Sequence, residues 1–211
     1  NYEVGVKTSW LDNRLVANLA GYWIDWTDMQ VTGRTPNNAF SFISNAGAAR
    51  IKGIEFELTA RPVDNFQISW TGSYTDAKLT KDQINANVNA PGRKGDRVPY
   101  VSKFSTTVSA QYTQPVSNQL DAMLRGDVSY VGPSYSEFSP ANVYYERIAS
   151  YTLVNLKAGI ENGDDDWGVY LFVNNLFDKT AIIRTTSSAF GLNQSFSAMP
   201  RTFGINARKA F

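Results

Sequence analysis

The chain has 211 residues, 43% hydrophobic, 13% aromatic and 18% charged, which permits a folded body and argues against disorder. Lys and Arg number 20 against 19 Asp and Glu, so the net charge of +1 gives no global basic footprint, and nucleic acid is not an expected partner. Cys and His are both absent, which removes disulfides, thiol nucleophiles, Ser-His-Asp hydrolysis and histidine-ligated zinc or haem; no enzyme activity, catalytic residue, cofactor or resident metal is expected.

The sequence opens at Asn1 without an initiator Met or a signal-type segment, and strand-like alternation starts at Tyr2, so it reads as a piece of a longer polypeptide. The other end stops on Phe211 directly after an alternating segment, which reads as a natural C-terminus. No run approaches 18 apolar residues, and the patch Val16 to Ile24 is broken by Asn18 and Gly21. Only a β-barrel would make this a membrane protein.

Period-two alternation recurs in nine segments. In chain order, 2–10 puts Tyr2, Val4, Val6 and Trp10 on one face, while 15–26 is apolar at both parities. Residues 53–60 set Ile54, Phe56, Leu58 and Ala60 against Gly53, Glu55, Glu57 and Thr59. The segment from 66 sets Phe66, Ile68, Trp70, Gly72 and Tyr74 against Gln67, Ser69, Thr71 and Ser73. The segment from 104 sets Phe104, Thr106, Val108, Ala110 and Tyr112 against Ser105, Thr107, Ser109 and Gln111. Residues 121–130 set Ala122, Leu124, Gly126, Val128 and Tyr130 against Asp121, Met123, Arg125, Asp127 and Ser129. Residues 152–161 set Val154, Leu156, Ala158 and Ile160 against Asn155, Lys157, Gly159 and Glu161. Residues 167–178 are again apolar at both parities, and 202–211 places Phe203, Ile205, Ala207 and Phe211 together.

An apolar sheet face can meet a second sheet in a soluble sandwich or lipid in a barrel. The polar face decides between them. It carries Ser, Thr, Gln, Asn and Gly with charges of both signs, namely Glu55, Glu57, Arg125, Asp127, Lys157 and Arg208, which suits a hydrated or plugged lumen. Aromatics on the apolar face gather at segment ends in two sets: Trp10, Phe66, Tyr112, Trp167 and Phe211, and Tyr2, Trp23, Tyr74, Phe104, Tyr130 and Phe203. These read as two interfacial girdles. Short polar connections (11–14, 61–65, 114–119, 162–166) alternate with long ones (about 27–50, 76–103, 131–150 and 179–200), the pattern of periplasmic turns and outer loops. Nine strands cannot close an antiparallel barrel, so upstream strands are expected. The fold class is therefore all-β, an antiparallel transmembrane barrel segment of about nine strands belonging to a larger barrel.

The sequence resembles the C-terminal part of the barrel of TonB-dependent outer-membrane receptors of the siderophore-receptor type. The matching stretches are NYEVGVK at Asn1, DNRLVANLAGYWIDWTDMQV, NAGAARIKGIEFELTARPVDN from Asn45 to Asn65, GDRVPYVSKFS from Gly95 to Ser105, LFVNNLFDK from Leu171 to Lys179, and PRTFGINARKAF from Pro200 to Phe211. The resemblance implies a barrel of about 22 strands around an N-terminal plug, of which residues 1–211 supply the last nine strands. Plug and TonB-coupling motif are not in the sequence. It implies active uptake of a bulky ligand, a ferric siderophore, across the outer membrane of a Gram-negative bacterium, with iron only as part of the chelate. Implied partners are outer-membrane lipid and lipopolysaccharide, the plug and upstream strands, and the TonB complex through the plug. A passive porin-like barrel and a soluble β-sandwich binding carbohydrate are the alternatives. The resemblance makes Phe211 the expected assembly signal, with Lys209 where the family usually places an apolar or aromatic residue.

Candidate ligand-binding residues come from the long connections. Their formal charges of +1, +3, -1 and +2 sum to +5, which would attract an anionic chelate. Arg93, Lys94 and Arg97 with Tyr100 form the densest cluster, and Arg34 and Arg184 add to it from other loops. The same side chains would equally meet lipopolysaccharide phosphates or solvent. Tyr135, Tyr144 and Tyr145 with Phe138 could stack on a flat ligand or pack a loop. Asp164-Asp165-Asp166 reads as a solvated turn rather than a calcium site, and Asn174-Asn175 as hydrogen-bonding residues of the strand or lumen.

Overall fold

The computed structural model describes residues 1–34, 41–83, 91–142, 144–162, 167–187 and 193–210; Asp164 to Asp166, Phe211 and the Arg34 side chain lie outside this set. Nine strands form one antiparallel sheet: β1 (Tyr2–Trp10), β2 (Leu15–Arg34), β3 (Ser41–Val63), β4 (Phe66–Leu79), β5 (Phe104–Pro115), β6 (Asp121–Val131), β9 (Tyr151–Asn162), β10 (Trp167–Asn174) and β13 (Thr202–Lys209). Each pairs with its neighbour in chain order, so the sheet is a simple meander. Two small hairpins stand in the long connections, β7 (Ser134–Tyr135) with β8 (Arg147–Ile148), and β11 (Ile182–Ser187) with β12 (Asn193–Ser197).

The register preserves the parity of the sequence. Gly21, Ile54, Tyr74 and Phe104 lie in one cross-strand row, and Ala17, Leu58, Trp70, Val108, Val128 and Val154 in another, so apolar side chains share one face over the width of the sheet. Among the described residues, no second layer covers that face. Phe203 is 82% exposed, Val4 77%, Leu171 61% and Leu124 57%, with Trp70, Val108, Val128 and Ile160 also exposed. Trp70 turns its indole N–H to Thr106 Oγ1 at 2.8 Å, so the ring presents only hydrocarbon outward.

The polar face is held by side-chain hydrogen bonds between strands: Ser73 to Ser105, Thr107 to Ser129 (both 3.0 Å), and Asn18 Nδ2 to Glu57 (3.1 Å). Over β1 to β6 this face borders a trough of about 810 Å³, with Glu3, Asn18, Glu55, Glu57, Thr107 and Ser129 among its walls. Farther along, Tyr170 is 2% exposed although it stands on the polar side. A Cβ at Gly159 would lie 2.4 Å from the Tyr170 ring and 2.5 Å from the Val169 carbonyl, so only glycine admits the ring there.

Three sequence expectations need correction. Residues 27–50 are not a loop: β2 runs on to Arg34 and β3 starts at Ser41, with a register shift between Trp26 and Met29 where Asp28 takes φ 55°. Alternation fades there because the hairpin has left the zone where one face must be apolar. At the other end of the chain, β10 stops at Asn174 rather than 178, because Asn175 and Asp178 both adopt left-handed φ (52°) in a turn. The last strand ends at Lys209.

Candidate functional site

At the end of the sheet that carries the long connections, the chain builds a small second core. Met29, Ala49, Leu79 and Phe138 are buried together, with Val98 against them. Phe138 comes from the connection after β6 and Val98 from the one after β4, so this core ties two loops to the upper ends of β2, β3 and β4. Gly92 lets them meet, since a Cβ there would lie 2.6 Å from Leu79 Cδ1 and 2.9 Å from Phe138 Cβ. Phe138 is thus a packing residue and not part of an aromatic ligand platform.

Above that core, five of the nine loop residues singled out by sequence come together. Tyr135 and Tyr145 stack on each other with centroids 5.1 Å apart and ring planes at 17°. The Arg97 guanidinium sits 4.9 Å from the Tyr135 ring centroid. Tyr100 donates its backbone N–H to the Tyr135 carbonyl (2.8 Å) and its hydroxyl to the Thr185 carbonyl, and Arg184 lies 5.6 Å from its ring. Three long connections therefore meet at Tyr100, whose φ of 61° is unusual for a bulky residue. Burial pushes the Tyr100 phenol above its ordinary range, opposed by Arg184, and burial raises Tyr145 as well.

The other candidates stand apart. Arg93 and Lys94 belong to an exposed turn whose backbone N–H groups are taken by Asp96 (2.8 Å) and Asp82 (2.7 Å). Tyr144 is exposed, contributing its carbonyl to Ser136 Oγ. The expected loop charge is also redistributed: Arg50 lies in β3 and Lys78 in β4, each paired to an aspartate. Two features escaped the sequence reading. Glu137 is desolvated by the loop fold, which raises its carboxyl above the usual range; it accepts from Asn142 Nδ2 at 3.3 Å. A cavity of about 310 Å³ opens between the β7–β8 connection and the β11–β12 hairpin, with Glu146, Arg147, Lys179 and Thr185 in its wall. Neither has a local sequence signal, because both depend on which loops fold against each other.

On the polar face of the wall, Arg125 Nη2 pairs with Asp127 at 2.8 Å and Ser109 donates to the same carboxylate. Lys157 caps the Tyr170 ring at 3.7 Å, Tyr170 donates to Glu161 at 2.7 Å, and Arg208 reaches Glu161 at 3.4 Å. Glu55 and Glu57 face the trough. Among the described residues, no group of three or more acidic side chains is placed to hold a metal.

The family model "TonB dependent receptor-like, beta-barrel" matches residues 1–176. The chain belongs to the TonB-dependent receptor family. Among its relatives, the ferric-pyoverdine M114 receptor PbuA of a Pseudomonas species is 27% identical over all of this chain and 24% of its own length. The ferrichrome outer membrane transporter/phage receptor of Escherichia coli K12 is 30% identical over 84% of this chain and 22% of its own length. The solved ferric yersiniabactin uptake receptor FyuA of Yersinia pestis superposes with a TM-score of 0.74 at 22% identity, covering 99% of this chain and 29% of that one. The chain thus spans about a quarter of the length of the curated relatives it matches. Outer-membrane barrels in general turn an apolar band outward and a polar face to the lumen, with their longer connections on the extracellular side.

Proposed function

We propose that this chain is the C-terminal wall of a receptor that actively takes up a ferric siderophore, with a plug and upstream strands supplied by the rest of the polypeptide. The trough along β1 to β6 is where the plug rests, and the TonB complex acts through that plug. The cluster of Arg97, Tyr100, Tyr135, Tyr145 and Arg184 is this chain's share of the outer binding surface. Iron arrives inside the chelate, and the wall breaks no bonds.

The observation that carries this reading is the convergence of two guanidinium groups and three tyrosines from three separate loops on one rim of a lipid-facing wall. Guanidinium groups attract an anionic chelate, and tyrosine rings give flat contact to its organic frame. Relatives named for ferric pyoverdine and ferrichrome support the cargo class. The test uses the full-length receptor in cells fed radiolabelled ferric siderophores of these classes. Saturable uptake that stops when the inner-membrane proton gradient is collapsed is expected; unsaturable, energy-independent entry would mean a passive pore instead.

A further inference from the structure

On the lumenal side of the sheet, β4 and β5 differ from every other neighbouring pair of strands. Taking every second residue, β4 presents Ser69, Thr71, Ser73 and Thr75 and β5 presents Ser105 and Thr107, with Gln67 and Gln111 at the inner end. Charged residues stand at lumenal positions of β3 (Glu55, Glu57), β6 (Arg125, Asp127), β9 (Lys157, Glu161) and β13 (Arg208), whereas these two strands present none among the described residues. The hydroxyls are already bonded within the wall. Ser73 pairs with Ser105 and Thr107 with Ser129 (both 3.0 Å), Thr75 with the Tyr22 hydroxyl (2.9 Å), and Ser69 with Thr59 (3.5 Å). Beyond β6 the same face is filled instead: Lys157 lies 3.7 Å from the Tyr170 ring centroid, Tyr170 donates to Glu161, and the Phe172 ring covers Gly204.

A surface that lets a solute pass must hold it at many points and tightly at none. Ion pairs hold strongly and in one geometry, whereas neutral hydroxyls hold weakly and in many. A hydroxyl that already has a partner keeps lone-pair capacity, so it takes a brief contact and is not left unsatisfied when that contact breaks. From Gln67 to Thr75 the strip extends about 26 Å, the height of the apolar band of an outer-membrane barrel. Its outer mouth adjoins the loop cluster. The connection bearing Arg97 and Tyr100 runs back along β4 before β5 begins, with the Val98 N–H on the Ala77 carbonyl (3.0 Å) and the Thr75 N–H on the Lys103 carbonyl (2.9 Å). We propose that the chelate crosses the membrane along this hydroxyl strip, between β4–β5 and the plug, and not along β9 to β13, where charged and bulky side chains fill the wall. The plug's hold on the trough is weakest here, because the strip offers it no ion pair. This inference rests on the uptake reading above.

The test uses the full-length receptor in cells, with radiolabelled ferric pyoverdine and ferrichrome as probes. Thr107→Trp puts bulk into the strip and is expected to lower the maximal uptake rate about tenfold while leaving the half-saturating concentration unchanged. Thr107→Ser should transport as wild type does, and so should Thr202→Trp, which puts the same bulk on the lumenal side of β13. Heat-modifiable gel mobility confirms a folded barrel for each variant. Wild-type maximal uptake in Thr107→Trp, or an equal loss in Thr202→Trp, overturns the proposal. A second measurement does not depend on the probes. The chain has no cysteine, so Thr107→Cys and Thr202→Cys each give it a single thiol. A membrane-impermeant maleimide added outside, read by mass spectrometry of the peptide that carries the thiol, should label Thr107→Cys about fivefold faster in energised cells than after collapse of the proton gradient, as the open passage gains population. Labelling of Thr202→Cys should not change. Equal energy dependence at the two thiols overturns the strip. If wild-type receptor takes up neither probe, the uptake reading of these cargoes fails, and the contrast between the two thiols decides the strip by itself.

Discussion

The wall and the loop cap of this chain solve opposite problems. In the wall, large apolar residues such as Leu124, Leu171 and Phe203 are exposed and the polar side is bonded to itself; in the cap, Leu79 and Phe138 are buried and charged residues such as Arg93 and Lys94 stand outward. The wall therefore depends on a solvent that dissolves hydrocarbon, and the cap on water. The boundary runs through β2, where the shift at Asp28 separates lipid-facing Trp23 from Met29 in the buried loop core.

A charge in mid-wall separates the two regions most strongly. Val108→Arg, on the lipid side, should destabilise the folded barrel by about 2–4 kcal/mol in denaturant titrations in vesicles. Thr107→Arg, one residue away on the lumen side, should cost far less. If the two behaved alike, the apolar face would not be meeting lipid. Next comes Gly159→Val, which drives a side chain into Tyr170 and the β10 backbone and should cost about 1–3 kcal/mol by the same titration. Its counterpart in the cap, Gly92→Ala, should leave the barrel's denaturation midpoint unchanged while proteases cut the connections after β4 and β6 faster.

Arg97→Ala removes a cation over Tyr135 that is worth about 0.5–1 kcal/mol, and in uptake assays should raise the half-saturating chelate concentration with little change in maximal rate. The smallest effect concerns Glu137. Its carboxyl is raised by burial, so the neutral form favours the folded loop. That contribution is complete below the unfolded value and is lost as pH rises through the folded value. Protection factors for the amides of 134–142, which remove the intrinsic pH dependence of exchange, should therefore be higher in mild acid than at neutral pH, and Glu137→Gln should flatten the difference.

The wall was almost fully legible because a strand between lipid and water must alternate, and Ile54-Glu55-Phe56-Glu57 could be assigned to faces without coordinates. Legibility failed where two apolar parities coincide, as at Tyr170 and Phe172 in β10: their lumenal packing against Gly159 and Gly204 depends on neighbouring strands. It failed again at the outer rim. Sequence named Arg97, Tyr100, Tyr135, Tyr145 and Arg184 by composition, but equally named Arg93, Lys94 and Tyr144, because adjacency in a loop says little about which side chains converge.

Asn175 closes the neck of the fourth long connection. Its side chain donates to the carbonyls of Lys179 (3.0 Å) and Met199 (3.1 Å) and accepts from the Lys179 N–H (2.9 Å), while Asp178 holds the N–H of Arg201 (2.9 Å). A drawstring of this kind separates the length of what lies beyond it from the spacing of the staves on either side. Residues between Lys179 and Met199 can therefore be lengthened, trimmed or exchanged while β10 and β13 stay in step.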